Sequence, residues 1–403
     1  MLKHRTIEAV IKKADANFKT LLLTGTRQVG KTTVLKNLTN DNRIYITLDD
    51  VLSLKLVKED PYLFFQTYKP PLLIDEIQYA PELFSHIKML IDKNNQPGQV
   101  WMTGSQQFLL MKGVSESLAG RLAVLELMGF SIYEQEKKGN LQKPFLPSQT
   151  PPSILSKKTL SETYRIIWKG SFPEITLKKD DTWSLFYSSF VKTYIERDVR
   201  QLLNIGNELS FYNFLKVVAA RTGQELNLTD ISNSLDISLN TVKSWLSVLQ
   251  ASGIVFLLQP YYENITKRLT KRPKLYFLDT GLCAYLTDWN TPETLASGAM
   301  NGAIFETFVI SEILKSYKHN GLHPSLYYYR DSNQVEIDLL ILQNGVFYPV
   351  EIKRTATPDP KMVKHFAVLE SFGKKIEYGS LICLTDNVYP LTHNANAISV
   401  WDI

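Results

Sequence analysis

Between residues 20 and 130 short apolar runs alternate with amphipathic stretches, the pattern of a parallel sheet with helices on its faces. The runs predict strands at 20–24, 43–47, 72–74, 100–103 and 123–127. From 135 to 158 the periodicity fails, and Pro144, Pro147, Pro151 and Pro152 fall among Lys, Ser, Gln and Thr, which reads as a linker or an exposed excursion. Helical spacing returns over 160–286, with long helices expected at 183–203 and 209–220. After 291 a helix at 303–317 precedes strands at 326–329, 336–342, 346–353 and 378–384. The pattern therefore divides the chain into an α/β unit at 1–134, a linker at 135–159, a helical unit at 160–290 and a second α/β unit at 291–403.

Composition changes this picture little. At 403 residues the chain has room for several domains, and 44% hydrophobic with 21% charged residues is the balance of a globular protein. The two cysteines, Cys283 and Cys383, are distant and set in apolar surroundings, so neither a disulfide framework nor a thiolate metal site is indicated. No window approaches a membrane span, and Met1-Leu2-Lys3-His4-Arg5 has no apolar signal core behind it. A reducing cytoplasm is the expected location, with no membrane partner. A net charge of +5 permits a nucleic-acid partner without demanding one.

Candidate chemistry is denser. Gly25-Thr26-Arg27-Gln28-Val29-Gly30-Lys31-Thr32-Thr33 follows the run Leu21-Leu22-Leu23 and precedes the helical Val34-Leu35-Lys36-Asn37-Leu38, the strand, loop and helix order of a phosphate-binding P-loop. Its glycines let backbone N–H groups wrap round phosphates at a helix N-terminus. Lys31 is placed to reach the β and γ phosphates of ATP, and the Thr32 hydroxyl to bind Mg²⁺. Leu72-Leu73-Ile74-Asp75-Glu76 supplies the strand-end carboxylates: Asp75 for the metal, Glu76 to orient or deprotonate the attacking water. Ser105 or Thr103, at the end of a further strand, would sense the γ-phosphate or hold that water. Arg121 has two readings, an arginine finger acting across a subunit interface or a surface arginine before a strand.

The segments 25–33, Leu73-Ile74-Asp75-Glu76-Ile77-Gln78, Thr103-Gly104-Ser105 and 117–121 resemble the bacterial and archaeal ATPases of the AAA class that carry a C-terminal domain of unknown function. Gly170-Ser171-Phe172-Pro173-Glu174 and Tyr194-Ile195-Glu196-Arg197-Asp198-Val199-Arg200 extend the resemblance over nearly the whole chain. It implies an AAA-type parallel-sheet core, a winged-helix middle domain and a nuclease-like C-terminus.

Over 228–258 two short helices flank a turn at Asp236-Ile237-Ser238, a helix-turn-helix, and the runs 254–258 and 274–278 can pair as a wing. Lys267, Arg268, Lys271, Arg272 and Lys274 cluster there, and Lys243 lies on the second helix; such cations would contact DNA phosphates without much sequence readout. A spacer or protein-docking role fits the same pattern.

Farther on, Glu306 falls on a helix, Asp338 on a strand, and Glu351-Ile352-Lys353 on the next, the order of the PD-(D/E)xK nuclease fold. Residues two apart on a strand share a face, so Glu351 and Lys353 point the same way. Asp338 and Glu351 can meet round Mg²⁺ or Mn²⁺, with Lys353 activating water. The plain alternative is a salt bridge between Lys353 and one carboxylate, and Glu336, on the face of Asp338, would either substitute for a ligand or belong to that network. The family comparison matches Glu306, Asp338, Glu351 and Lys353, although Asp338 follows Ile337 where the signature has proline. Two functions follow from the sequence: an Mg-dependent ATPase that drives a nucleic-acid-directed activity, cleavage by the C-terminal site included, or an ATP-dependent switch or scaffold for a protein partner or homo-oligomer. A DNA remodeller that grips without cutting lies between them.

Overall fold

A computed structural model of the protein describes residues 3–39, 42–94, 96–105, 118, 120–199, 208–264, 266, 268 and 271–403. Ser117, Arg200 and Lys267 lie outside these. The first sheet consists of β1 (Thr20–Thr24), β2 (Ile44–Thr47), β3 (Leu72–Asp75), β4 (Val100–Gly104) and β5 (Leu122–Glu126) in the order β2-β3-β4-β1-β5. Every pairing is parallel. All five residues of β1 are buried, as expected where helices cover both faces of a parallel sheet.

Side-chain alternation sends Leu21, Leu23, Leu73 and Trp101 into one core and Leu22, Leu72, Ile74 and Met102 into the other. The second core closes within the N-terminal part. The first runs on without a break through Trp168, Phe190 and Trp245 to Phe305 and Ile352. Apolar burial thus ties one face of the first sheet to the rest of the chain.

The proline-rich stretch expected as a linker is a strap. Prolines deny it regular structure, but Phe145 and Leu155 are buried. Phe145 N donates to Ser316 Oγ at 2.9 Å, and its carbonyl accepts from Tyr317 Oη at 2.7 Å.

The middle segment is helical, with Leu160–Lys169, Trp183–Tyr194, Glu208–Ala219, Leu228–Leu235 and Leu239–Ala251 its main helices. The expected long helix at 183–203 becomes a π-type turn over Ile195–Val199. Beside these helices lie β6 (Gln224–Glu225), β7 (Val255–Pro260) and β8 (Lys274–Phe277).

A long helix, Asn301–Lys318, precedes β9 (Ser325–Arg330), β10 (Glu336–Gln343), β11 (Val346–Ile352), β12 (Gly379–Cys383), β13 (Tyr389–Thr392) and β14 (Ala395–Ser399). β7 pairs antiparallel with β8 and parallel with β9, through Gln259↔Tyr327 and Pro260↔Tyr328. β6, β7 and β8 and the C-terminal strands therefore share one mixed nine-stranded sheet, ordered β13-β14-β12-β11-β10-β9-β7-β8-β6.

Candidate functional site

The P-loop leaves β1 at Gly25, whose φ of +142° and closeness to β5 both exclude a side chain: a Cβ there would lie 2.0 Å from the Leu127 carbonyl oxygen. Gln28 and Gly30 also have positive φ, 62° and 91°, and Gly30 caps the helix Lys31–Leu38. Lys31 is buried and its Nζ donates to the carbonyls of Gly25 (2.8 Å) and Thr26 (2.9 Å). Those bonds hold the ammonium over the mouth of the loop, where a phosphate oxygen would compete for it. Thr33 is exposed on the helix's first turn. The outer side of the loop is held by Arg5, which donates to Val29 O at 2.9 Å and to Met128 O at 2.7 Å while pairing with buried Glu134 at 3.0 Å.

β3 delivers Asp75 beside the loop because β4 lies between β3 and β1, leaving room at their carboxyl ends. Thr32 Oγ1 donates to Asp75 Oδ1 at 2.8 Å, and Thr103 Oγ1 donates to the same oxygen. Tyr45 Oη donates to Asp75 Oδ2 at 3.0 Å. Burial together with the Asp75 charge pushes the Tyr45 phenol up to about 12, so it stays a donor. A hydroxyl and a carboxylate meeting at hydrogen-bond distance are hard oxygen donors of the kind Mg²⁺ takes, and Thr32 with Asp75 fit it.

Glu76 follows in a left-handed conformation, φ +59°, with its N–H bonded to Thr103 Oγ1 at 3.1 Å. Its carboxylate accepts from Gln78 Nε2, which also reaches Ser105 Oγ at 3.2 Å. The Glu76, Gln78 and Ser105 side chains therefore form one hydrogen-bonded group beside Asp75. Arg121 is elsewhere. It precedes β5 at the amino end of the sheet, its carbonyl accepts from Thr20 N, and its side chain pairs with Asp92 at 2.9 Å. Five strand residues, roughly 16 Å at ~3.3 Å each, separate it from the loop of its own chain.

The middle segment touches the P-loop. Thr26 Oγ1 donates to the carbonyl of Gly253 at 3.0 Å, in the turn that ends Leu239–Ala251. Gly253 has φ +69°, and a Cβ on it would stand 2.6 Å from Thr26 Oγ1.

The C-terminal residues also converge. Asp338 on β10 and Glu351 on β11 are cross-strand neighbours by the register Leu339↔Val350. Lys353 Nζ lies 3.1 Å from Asp338 Oδ2 and 2.7 Å from Glu351 Oε1. Glu306 arrives from the helix Asn301–Lys318 and accepts from Tyr276 Oη at 2.6 Å. Burial pushes the Glu306 carboxyl up to about 7 against the opposing pull of Lys274. Burial and then Asp338 push Glu351 up to about 8, and Glu351 Oε2 has no hydrogen-bond partner.

Lys274 is buried, not a solvent-facing cation. Expected at the edge of the strand 274–278 among cations that contact DNA, it begins β8 but is turned inward, its side chain 5% exposed, 2.5 Å from Glu336 and 3.3 Å from Glu306. The signal was the period-two pair Lys274 and Tyr276, which share a face and meet the same carboxylate. Arg268 is not a free tip cation either, since it bonds to Tyr262 O and lies over the Tyr261 ring at 4.6 Å. Lys243, Lys271 and Arg272 are exposed. The metal expected between Asp338 and Glu351 does not fit the set as it stands. Lysine nitrogens and the Ile352 N–H, 2.9 Å away, engage Asp338, and among the described residues no group of three or more His, Cys, Asp and Glu is arranged to hold a metal ion.

Comparison with known proteins agrees with the N-terminal geometry. Residues 17–136 match the family model described as AAA domain. Residues 161–293 and 301–403 match two models described as domains of unknown function, DUF8612 and DUF4143. An uncharacterized protein of Mycobacterium tuberculosis is 28% identical over 359 residues, covering 89% of this chain and 75% of its own. One of Methanocaldococcus jannaschii is 25% identical over 354 residues, covering 80% and 72%. A walker-type ATPase of Pyrococcus abyssi aligns over 70% of this chain and 94% of its own, but at 14% identity and a TM-score of 0.39 the likeness carries no weight. P-loop, strand order and family match together make the N-terminal part of this chain an ATP-binding, AAA-class P-loop ATPase domain.

Proposed function

We propose that the chain is an ATP-driven conformational switch in which hydrolysis at the P-loop is transmitted to the helical middle segment. One observation carries this reading: the loop that cradles phosphate is hydrogen-bonded through Thr26 to the turn at Gly253. Lys31 now spends its donors on the Gly25 and Thr26 carbonyls. When ATP offers phosphate oxygens instead, the Thr26 peptide is released, and the residue that holds Gly253 is free to shift. Thr32 and Asp75 would hold Mg²⁺, which would supply neutralisation of the charge developing on the phosphate oxygens. Glu76 accepts a proton from the attacking water, and Gln78 and Ser105 orient its carboxylate. The test is phosphate release with Mg²⁺. Lys31→Ala should lose ATP binding and turnover; Glu76→Gln should keep binding while kcat falls at least about 100-fold, the size of a general-base contribution. Unchanged turnover in Glu76→Gln sinks the assignment.

A second reading, in which the switch acts on nucleic acid, draws on a groove of about 500 Å³ lined by Lys271, Arg272 and Tyr262 together with Glu225 and Asp331, where Arg330 is already paired with Glu225 and Glu336. The exposed Lys271 and Arg272 beside the half-buried Tyr262 ring suit a phosphate backbone with a stacking base. No cleavage step belongs to it, given the state of the carboxylate cluster. It predicts single-stranded DNA binding that weakens steeply with salt and in Lys271→Ala/Arg272→Ala; salt-insensitive or absent binding leaves the protein-partner form of the switch.

A further inference from the structure

Lys274 enters the carboxylate cluster from the middle segment, whereas Glu306, Glu336, Asp338 and Glu351 all come from the C-terminal one. β8 carries it there because β6, β7 and β8 and the C-terminal strands form one sheet. Its ammonium lies 2.5 Å from Glu336, 3.3 Å from Glu306 and 4.0 Å from Asp338. Carboxylates from a helix and a strand thus converge on one nitrogen. On the far side of Asp338, Lys353 bridges to Glu351, and Arg330 reaches Glu336 at 3.3 Å.

A divalent cation needs several oxygens at roughly 2.0–2.6 Å with no competing cation among them. An ammonium presents three donors to oxygens nearer 2.7–2.9 Å and carries its charge on a tether. The cluster has the second arrangement: two lysines distributed among four carboxylates, with the more buried lysine where carboxylates from separate elements meet.

We propose that Lys274 is a built-in counter-ion that takes the place of a divalent metal in the C-terminal cluster. The cluster is then an ionic joint between the middle and C-terminal segments, closed without a metal, and the chain's demand for a divalent cation lies at the nucleotide site. This inference does not rest on the switch reading.

The test is Mn²⁺ binding to the full chain without nucleotide, followed by electron paramagnetic resonance of the free ion. Wild type and Asp338→Asn should be indistinguishable, with no site tighter than on the order of millimolar. Lys274→Met, with its fold checked by circular dichroism, should gain a site at least about tenfold tighter, and Asp338→Asn in that background should abolish it. A tighter wild-type site lost in Asp338→Asn overturns the proposal, and so does a folded Lys274→Met that gains nothing. If Lys274→Met does not fold, the comparison of wild type with Asp338→Asn decides alone.

Discussion

Glu76 and Glu306 are both buried or half-buried carboxylates, yet their surroundings give them opposite tasks. Glu76 lies at a strand end, where Gln78 Nε2 donates to its carboxylate and its own N–H donates to Thr103 Oγ1, so the carboxylate is held in place as an acceptor. Burial of Glu306 and Glu351 outweighs the lysines near them and raises their carboxyls to about 7 and about 8. Glu134 goes the other way: burial opposes its charge, but Arg5 and His319 overcome that and hold it well below the ordinary carboxylate range.

The signs make a pH prediction. Glu306 and Glu351 keep protons in the folded state that the unfolded chain loses above about 4.3, so their contribution is fully present below that pH and is lost as pH rises through 7 to 8. Glu134 contributes above the ordinary carboxylate value and is lost as pH falls toward its depressed one. Urea midpoints should therefore be highest near pH 5 and fall toward pH 8.5, and Glu306→Gln/Glu351→Gln should flatten the alkaline limb. A midpoint that rises between pH 5 and 8 would contradict the burial argument.

Among the elements, the turn at Gly253 and the helix Asn301–Lys318 matter most. Gly253→Ala meets a double obstacle, positive φ and Thr26 Oγ1 at 2.6 Å, whereas Gly345 in the β10–β11 turn has positive φ but nothing within 4 Å of a built Cβ. Both substitutions should cost at least about 1 kcal/mol of stability through backbone strain. Gly253→Ala alone should weaken ATP binding, by about three- to tenfold, because only it displaces a P-loop residue. Equal ATP affinity in the two variants, measured by calorimetry, would remove the turn from the nucleotide pathway.

The helix works at both ends. Glu306 near its start joins the carboxylate cluster, while Glu312 accepts from Ile132 N at 2.9 Å and Lys315 donates to Phe130 O at 3.2 Å near its end. Ten residues from Glu306 to Ser316, about 15 Å of helix, thus link the exit of the first sheet to the second.

These elements were legible to different degrees. β1 to β5 follow from apolar runs and turn residues because local pattern decides them, and the P-loop from its glycines and Lys31. β14 is fully buried but reads Ala-Asn-Ala-Ile-Ser, too small and polar to stand out, and β13 is an exposed edge. The burial of Lys274 was not legible because it depends on β7 pairing with β9, residues almost 70 apart in sequence, and no local pattern records such a contact.

Over the whole molecule a single apolar core runs from one face of the ATPase sheet through the helical segment into the C-terminal sheet. Buried polar contacts follow the same route. Arg5 clamps the P-loop to Glu134, and His319, just past the long helix, stands 3.4 Å from Glu134 and accepts from Met128 N at 3.2 Å. A loop displaced by nucleotide therefore pulls on a body that cannot ignore it, which is the physical content of the switch. Amide hydrogen exchange on Glu76→Gln held with Mg²⁺ and ATP, compared with the nucleotide-free protein, tests this most directly. The account predicts a changed exchange rate at residues 250–256 together with protection of 25–32. Protection confined to 25–32, with 250–256 unchanged, would contradict it.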